Sequence, residues 1–144
     1  MKRTELRENI FKLLFVSMFT EKDGMKEQQD LYFDNFETLS EKDRSYMEEK
    51  VAAVLEKVEE IDVILNQTSK GWKTSRMNKV DLTILRLAVF EVCYDDDVPT
   101  GVAINEAVEL GKRFGSDESG AFINGILGKI AATKNSEESG HEKA

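Results

Sequence analysis

From Val80 to Tyr94 the sequence is apolar on every side of a helix, with Leu82, Ile84, Leu85, Leu87, Ala88, Val89 and Val92 spread around its turns. A helix with no polar face has to be surrounded by other elements, so this segment is expected to be the central, buried one. What surrounds it is expected to be helical too. The chain has a single proline in 144 residues and no repeating Val/Thr/Tyr alternation, while apolar residues recur at intervals of three and four. Leu6, Ile10, Leu13, Leu14 and Val16 to Phe19 predict a first helix over about Thr4–Phe19, ended by Asp23-Gly24. Leu31, Tyr32, Phe33, Phe36 and Leu39 predict a second, shorter helix. Ser40 resembles an N-cap before Glu41-Lys42-Asp43, and the stripe Met47, Val51, Val54, Leu55, Val58, Ile61, Ile64, Leu65 predicts a long helix bent near Glu59-Glu60.

Past the central helix, Asp95-Asp96-Asp97 opposes the helix dipole and stops it. Pro99 opens a helix over Val102–Phe114 that Gly115 closes. Ser116 is the expected N-cap of a last helix carrying Phe122, Ile123, Ile126, Leu127 and Ile130, with Gly125 and Gly128 placed to let a neighbouring helix approach. The polar stretch 134–144 reads as a disordered tail. The expectation is therefore an all-α domain over 1–133, with an N-terminal half of about 1–66 and a C-terminal half of about 72–133.

Several chemistries lack their residues. The one histidine, His141, lies in the tail, which leaves no Ser-His or Cys-His pair and no histidine-based metal site. Cys93 falls in the apolar phase of the central helix, where a buried inert thiol is expected. Ile123 stands where a phosphate loop ending at Gly128-Lys129 would need glycine, and Pro99 and Thr100 spoil a calcium loop begun by Asp95 and Asp97. No catalytic residue, metal or cofactor is expected. No apolar run reaches the length of a membrane span, and no export signal is visible, so a cytoplasmic protein without membrane contact is expected.

A net charge of −8 repels nucleic acid at long range, yet cations gather in two places. Lys2, Arg3, Arg7 and Lys12 lie on the first helix and its approach, Arg3 and Arg7 four apart on one face, diluted by Glu5 and Glu8. Between Asp62 and Asp81 there is no acidic residue, while Lys70, Lys73, Arg76 and Lys79 stand beside Trp72. Cations next to an aromatic ring are what unstacked RNA bases and their phosphates require, although a solvated basic surface with Trp72 as a loop anchor has the same composition. Arg86, inside the apolar helix, needs a carboxylate, a carbonyl or a phosphate.

The string Trp72-x-x-x-Arg76-Met77, Val80-Asp81-x-x-Ile84-Leu85-Arg86-Leu87-Ala88-Val89-Phe90-Glu91, Val98-Pro99-x-x-Val102-Ala103-Ile104-Asn105-Glu106-Ala107-Val108-Glu109-Leu110, Lys112-Arg113-Phe114-Gly115 and Ser119-x-x-Phe122-Ile123-Asn124-Gly125-Ile126-Leu127 resembles the NusB family of transcription antitermination factors. A weaker match, Arg7 followed by Leu13-Leu14-Phe15, covers the first helix. The resemblance implies two packed helical bundles of about seven helices, and no enzyme. It implies a heterodimer with the small-subunit ribosomal protein that doubles as NusE. That pair binds boxA-type single-stranded RNA and acts on the RNA polymerase elongation complex, indirectly, in ribosomal RNA operons. Carried over position by position, RNA contact would fall to Lys2, Arg3, Arg7, Arg86, Phe114, Ser116, Glu118 and Phe122. The ribosomal partner would meet Phe15, Met18, Asp81 and Ile84. A basic partner would supply the charge this chain lacks. The resemblance leaves open a homodimeric scaffold in which the first helix pairs with itself. The same fold also serves a ribosomal RNA cytosine methyltransferase, whose long catalytic domain this sequence is not expected to carry.

Overall fold

The computed structural model describes the backbone of residues 1–143 and the side chains of residues 1–135. Its described residues form seven α-helices, two short 3-10 turns and no strand. The chain divides into two compact units, the first spanning Met1–Glu56 and the second beginning at Lys57. The expected boundary near residue 66 is thus displaced. The long helix expected over 41–65 is two helices, with Lys57 outside helical geometry (φ −102°, ψ 5°) where no proline or glycine marks the break.

In the first unit, α1 (Arg3–Ser17) packs against α2 (Met25–Asp34) and α3 (Glu41–Glu56). The inward stripe of α1 is Arg7, Ile10, Phe11, Leu13 and Leu14, a spacing of three and four that defines one helix face. Met47, Val51 and Val54 of α3 are fully buried, each contributing about 1.5–3 kcal/mol by leaving water. Ser40 caps α3 as expected, its Oγ accepting the Asp43 N–H at 3.1 Å. Arg44 ties α2 to α3: it donates to Asp30 at 2.9 Å and to Glu48 at 2.8 Å, with its guanidinium carbon 5.0 Å from the Phe33 ring centre. The Tyr32 hydroxyl donates to Asn9 Oδ1, joining α2 to α1.

In the second unit, α5 (Lys79–Tyr94) touches α4 (Val58–Thr68), α6 (Thr100–Phe114) and α7 (Ser119–Lys143), which is why it lacks a polar face. Asn78 caps it: its Oδ1 accepts the Asp81 N–H at 2.8 Å, and its Nδ2 donates to Asp81 Oδ2 at 3.0 Å. Beyond its C-terminus the Asp97 N–H bonds Asp95 Oδ1 at 3.1 Å, so the acidic run forms the turn that ends the helix. Cys93 is only partly buried, a correction to the expected sealed thiol.

The close approach of α6 and α7 occurs at Gly111 and Gly115 rather than at Gly125 and Gly128. A Cβ on Gly115 would lie 2.3 Å from Ser119 Oγ and 2.8 Å from the Gly111 carbonyl, whereas Cβ atoms on Gly125 and Gly128 would meet nothing within 4 Å. Formal helix α7 starts at Ser119, three residues after the expected cap. Ser119 Oγ accepts the Ser116 N–H at 2.9 Å, the reach-back arm of a capping box. At its other end α7 runs to Lys143, where the sequence suggests a disordered tail. Lys134 Nζ donates to the Val92 carbonyl at 2.6 Å, while the His141 side chain lies outside the described residues. Among the described residues no helix is long and apolar enough to cross a membrane.

Candidate nucleic-acid interface

The candidate residues divide between the two units. In the first, Lys2 and Arg3 are exposed at the start of α1, where the chain enters the helix from extended geometry at Lys2. Arg7 is 7% exposed. Four residues on from Arg3, it shares the phase of Ile10 and Leu14 and so lies on the inward stripe, which corrects the expected pair of exposed arginines. Phe15 and Met18 are half-buried, and Phe15 meets Phe19 edge to face with ring centres 5.2 Å apart. Phe19 itself is 65% exposed, and Leu31 on α2 is exposed as well. Phe19 was not singled out by the sequence pattern, although its spacing of four from Phe15 was the available signal.

In the second unit the N-terminal ends of α5 and α7 meet at a pocket of about 320 Å³. Ser116, Glu118 and Phe122 line it from the start of α7, Asn78 and Asp81 from the start of α5, and Trp72 and Arg76 from the segment before α5. Three of the expected RNA residues are thereby brought together. Phe114 stands apart at the end of α6, half-buried, with the Arg113 guanidinium carbon 5.3 Å from its ring centre.

Three expectations change. Arg86 is held in a bidentate pair with Asp62 of α4, Nε to Oδ1 at 2.9 Å and Nη2 to Oδ2 at 2.7 Å. The carboxylate its position demanded comes from the protein, so Arg86 is withdrawn from the RNA set. Ile84 is fully buried and Asp81 is 5% exposed, which removes both from a partner surface. Asp81 serves the Asn78 cap instead, and its Oδ1 has no hydrogen-bond partner at the pocket wall. Trp72, Arg76, Met77, Asn78, Asp81 and Ser119 are the pocket residues that the family resemblance did not assign to RNA. For Trp72 and Arg76 the signal was the acid-free basic segment beside an aromatic.

The arrangement offers the groups that a single-stranded nucleic acid uses. Trp72 is 56% exposed and Phe122 half-buried, giving two aromatic faces for bases. Arg76, the Ser116 hydroxyl and two helix N-termini can attract phosphate oxygens, while the exposed carboxylate of Glu118 can accept hydrogen bonds from base amines and repels phosphate.

Residues 4–132 match the NusB family. The transcription antitermination protein NusB of Agathobacter rectalis is 50% identical over 131 residues, covering 91% of this chain and all of that one. That of Acetivibrio thermocellus is 46% identical over 142 residues, covering 99% and 97%. Among solved structures, T. maritima NusB superimposes with a TM-score of 0.81 at 31% identity, covering 92% of each chain. A structure of antitermination factors NusB and NusE in complex with dsRNA gives a TM-score of 0.77 at 24% identity, covering 91% of this chain and 96% of that one, a likeness of fold. With a match that spans both units and the pocket, the chain belongs to the NusB family of transcription antitermination proteins.

Proposed function

We propose that this chain is an RNA-binding antitermination adaptor: it holds boxA-type single-stranded RNA together with the small-subunit ribosomal protein acting as NusE. In ribosomal RNA operons it thereby acts, indirectly, on elongating RNA polymerase, and so works in the cytoplasm. The observation that carries the reading is the pocket where Ser116 and Phe122 meet Trp72 and Arg76, within a chain whose fold relatives include NusB in complex with NusE and dsRNA. The exposed Lys2 and Arg3 add phosphate contacts from the first unit. With a net charge of −8 the chain alone attracts RNA weakly, and a basic ribosomal protein raises affinity by offsetting that repulsion. Phe15, Met18 and Phe19, together with Leu31, give the partner an apolar surface.

The test is an anisotropy titration of a labelled boxA-like RNA with the chain alone, with the ribosomal partner, and with Phe122→Ala. The partner is expected to tighten binding. Phe122→Ala is expected to weaken it roughly ten-fold, since one stacked base contributes about 1–3 kcal/mol. Binding indifferent to both changes would overturn the proposal. A second reading rests on the 65% exposure of Phe19: α1 pairs with its own copy and the chain is a homodimeric scaffold with a covered RNA face. Light scattering after size exclusion separates the two, because a dimer that persists when the partner is added favours the scaffold.

A further inference from the structure

Trp72 and Phe122 also line a second cleft of about 640 Å³, whose lining includes neither Asp81 nor Glu118. Both rings line both clefts, so the two are neighbours that share an aromatic partition. Their chemistry differs. The first holds two carboxylates, while the charged residues lining the second are Lys70 and Lys129 alone. Neither lysine forms an ion pair among the described residues. The cleft draws on two acid-free stretches, from residue 63 to 80 and from residue 119 to 136, in a chain that carries 28 acidic residues. Its lining includes Gly125, an exposed helix position where an added Cβ would meet nothing within 4 Å.

Bare helix backbone at Gly125, an exposed indole and two ammonium groups without ion pairs together suit a stacked base and its neighbouring phosphates. We infer that the Lys70–Trp72–Gly125–Lys129 cleft is a second nucleotide subsite, taking one further residue of a single-stranded RNA whose neighbouring base occupies the Ser116–Phe122 pocket. Stacking and point-charge contacts make this subsite tolerant of sequence, in contrast to the hydrogen-bonding groups of the first. The inference rests on the RNA-binding reading above and extends it along the strand.

The experiment uses the full chain with its ribosomal partner and three labelled RNAs: a boxA-like octamer, and the same octamer lengthened by four uridines at its 5′ or its 3′ end. One lengthened RNA is expected to bind tighter than the octamer by roughly five- to hundred-fold, the range one stacked base contributes. Gly125→Leu, which fills the cleft from a position with free space, is expected to abolish that gain and leave the octamer affinity and the melting temperature undiminished. Lys129→Glu is expected to lower the salt slope for the lengthened RNA by at least about 0.7, the share of one phosphate on a single strand. The inference is overturned if neither extension tightens binding, if Gly125→Leu keeps the gain, or if it weakens the octamer equally. Failure of the octamer itself to bind the unmodified complex would defeat the RNA-binding reading and this inference together.

Discussion

Replacing Arg86 by Met separates a structural arginine from an RNA-contacting one. Two charge-assisted hydrogen bonds of 2.9 and 2.7 Å join Arg86 to Asp62, and the two side chains keep only 20% and 23% of their surface exposed. Charges about 4 Å apart at an effective dielectric near 20 attract by about 4 kcal/mol. Desolvation takes back a large part, and the remaining exposure screens the pair further, leaving a coupling of about 1–3 kcal/mol. Arg86→Met strands the Asp62 carboxylate between α4 and α5 and is expected to cost about 2–3 kcal/mol. Asp62→Leu strands the guanidinium at a similar cost, and the double variant recovers most of the loss because neither charge then remains. Urea unfolding followed by the fluorescence of Trp72, the single tryptophan and a residue of the second unit, supplies the four free energies. RNA affinity per folded molecule is expected to be unchanged in Arg86→Met. A coupling below about 0.5 kcal/mol, typical of an exposed pair, would refute the structural assignment. So would a ten-fold loss of RNA affinity with an unchanged urea midpoint, which would return Arg86 to the interface.

Gly115→Ala is expected to destabilise by about 1–3 kcal/mol, because its Cβ would press on Ser119 and on the Gly111 carbonyl, while Gly125→Ala is expected to stabilise by up to about 1 kcal/mol; paired thermal melts check the contrast. The Tyr32 phenol is pushed up to about 12 by burial, with the charge of Glu8 adding to the shift. Folding therefore holds its proton, so the stability it contributes is complete below pH 10 and is lost as pH rises from 10 through 12. The melting temperature should fall over that interval, and fall less in Tyr32→Phe. Glu118→Gln removes a negative charge from the pocket wall and is expected to tighten boxA-like RNA at low salt, an effect that an unchanged or larger dissociation constant in anisotropy titration would disprove.

Helix class and the central position of α5 were legible because a helix with apolar residues on every side has one physical outcome, burial all round. Ser40 and Gly115 were legible for a similar reason, since cap chemistry is local. The break at Lys57 was legible only as a bend near Glu59-Glu60: neither flanking sequence carries a breaker, and the complete split reflects which unit each half packs against. Periodicity places Arg3 and Arg7 on one face but does not say where solvent ends, so an arginine in phase with Ile10 was read as exposed. Asp81 and Ile84 failed as partner residues on the same ground, because burial of α5 is set by how α4, α6 and α7 pack around it. Within the pocket, Ser116, Glu118 and Phe122 came from the family resemblance around one helix start. Joining them to Trp72 and Arg76 required the fold, because the whole of α5 and α6 intervenes.

Photocrosslinking a boxA-like RNA carrying 4-thiouridine to the chain in the presence of its ribosomal partner, followed by peptide mapping, addresses the interface directly. Crosslinks should fall on the peptides containing Trp72 and Phe122 and diminish with Phe122→Ala. Crosslinks confined to the partner, or to the α4 and α6 surfaces of this chain, would contradict the account.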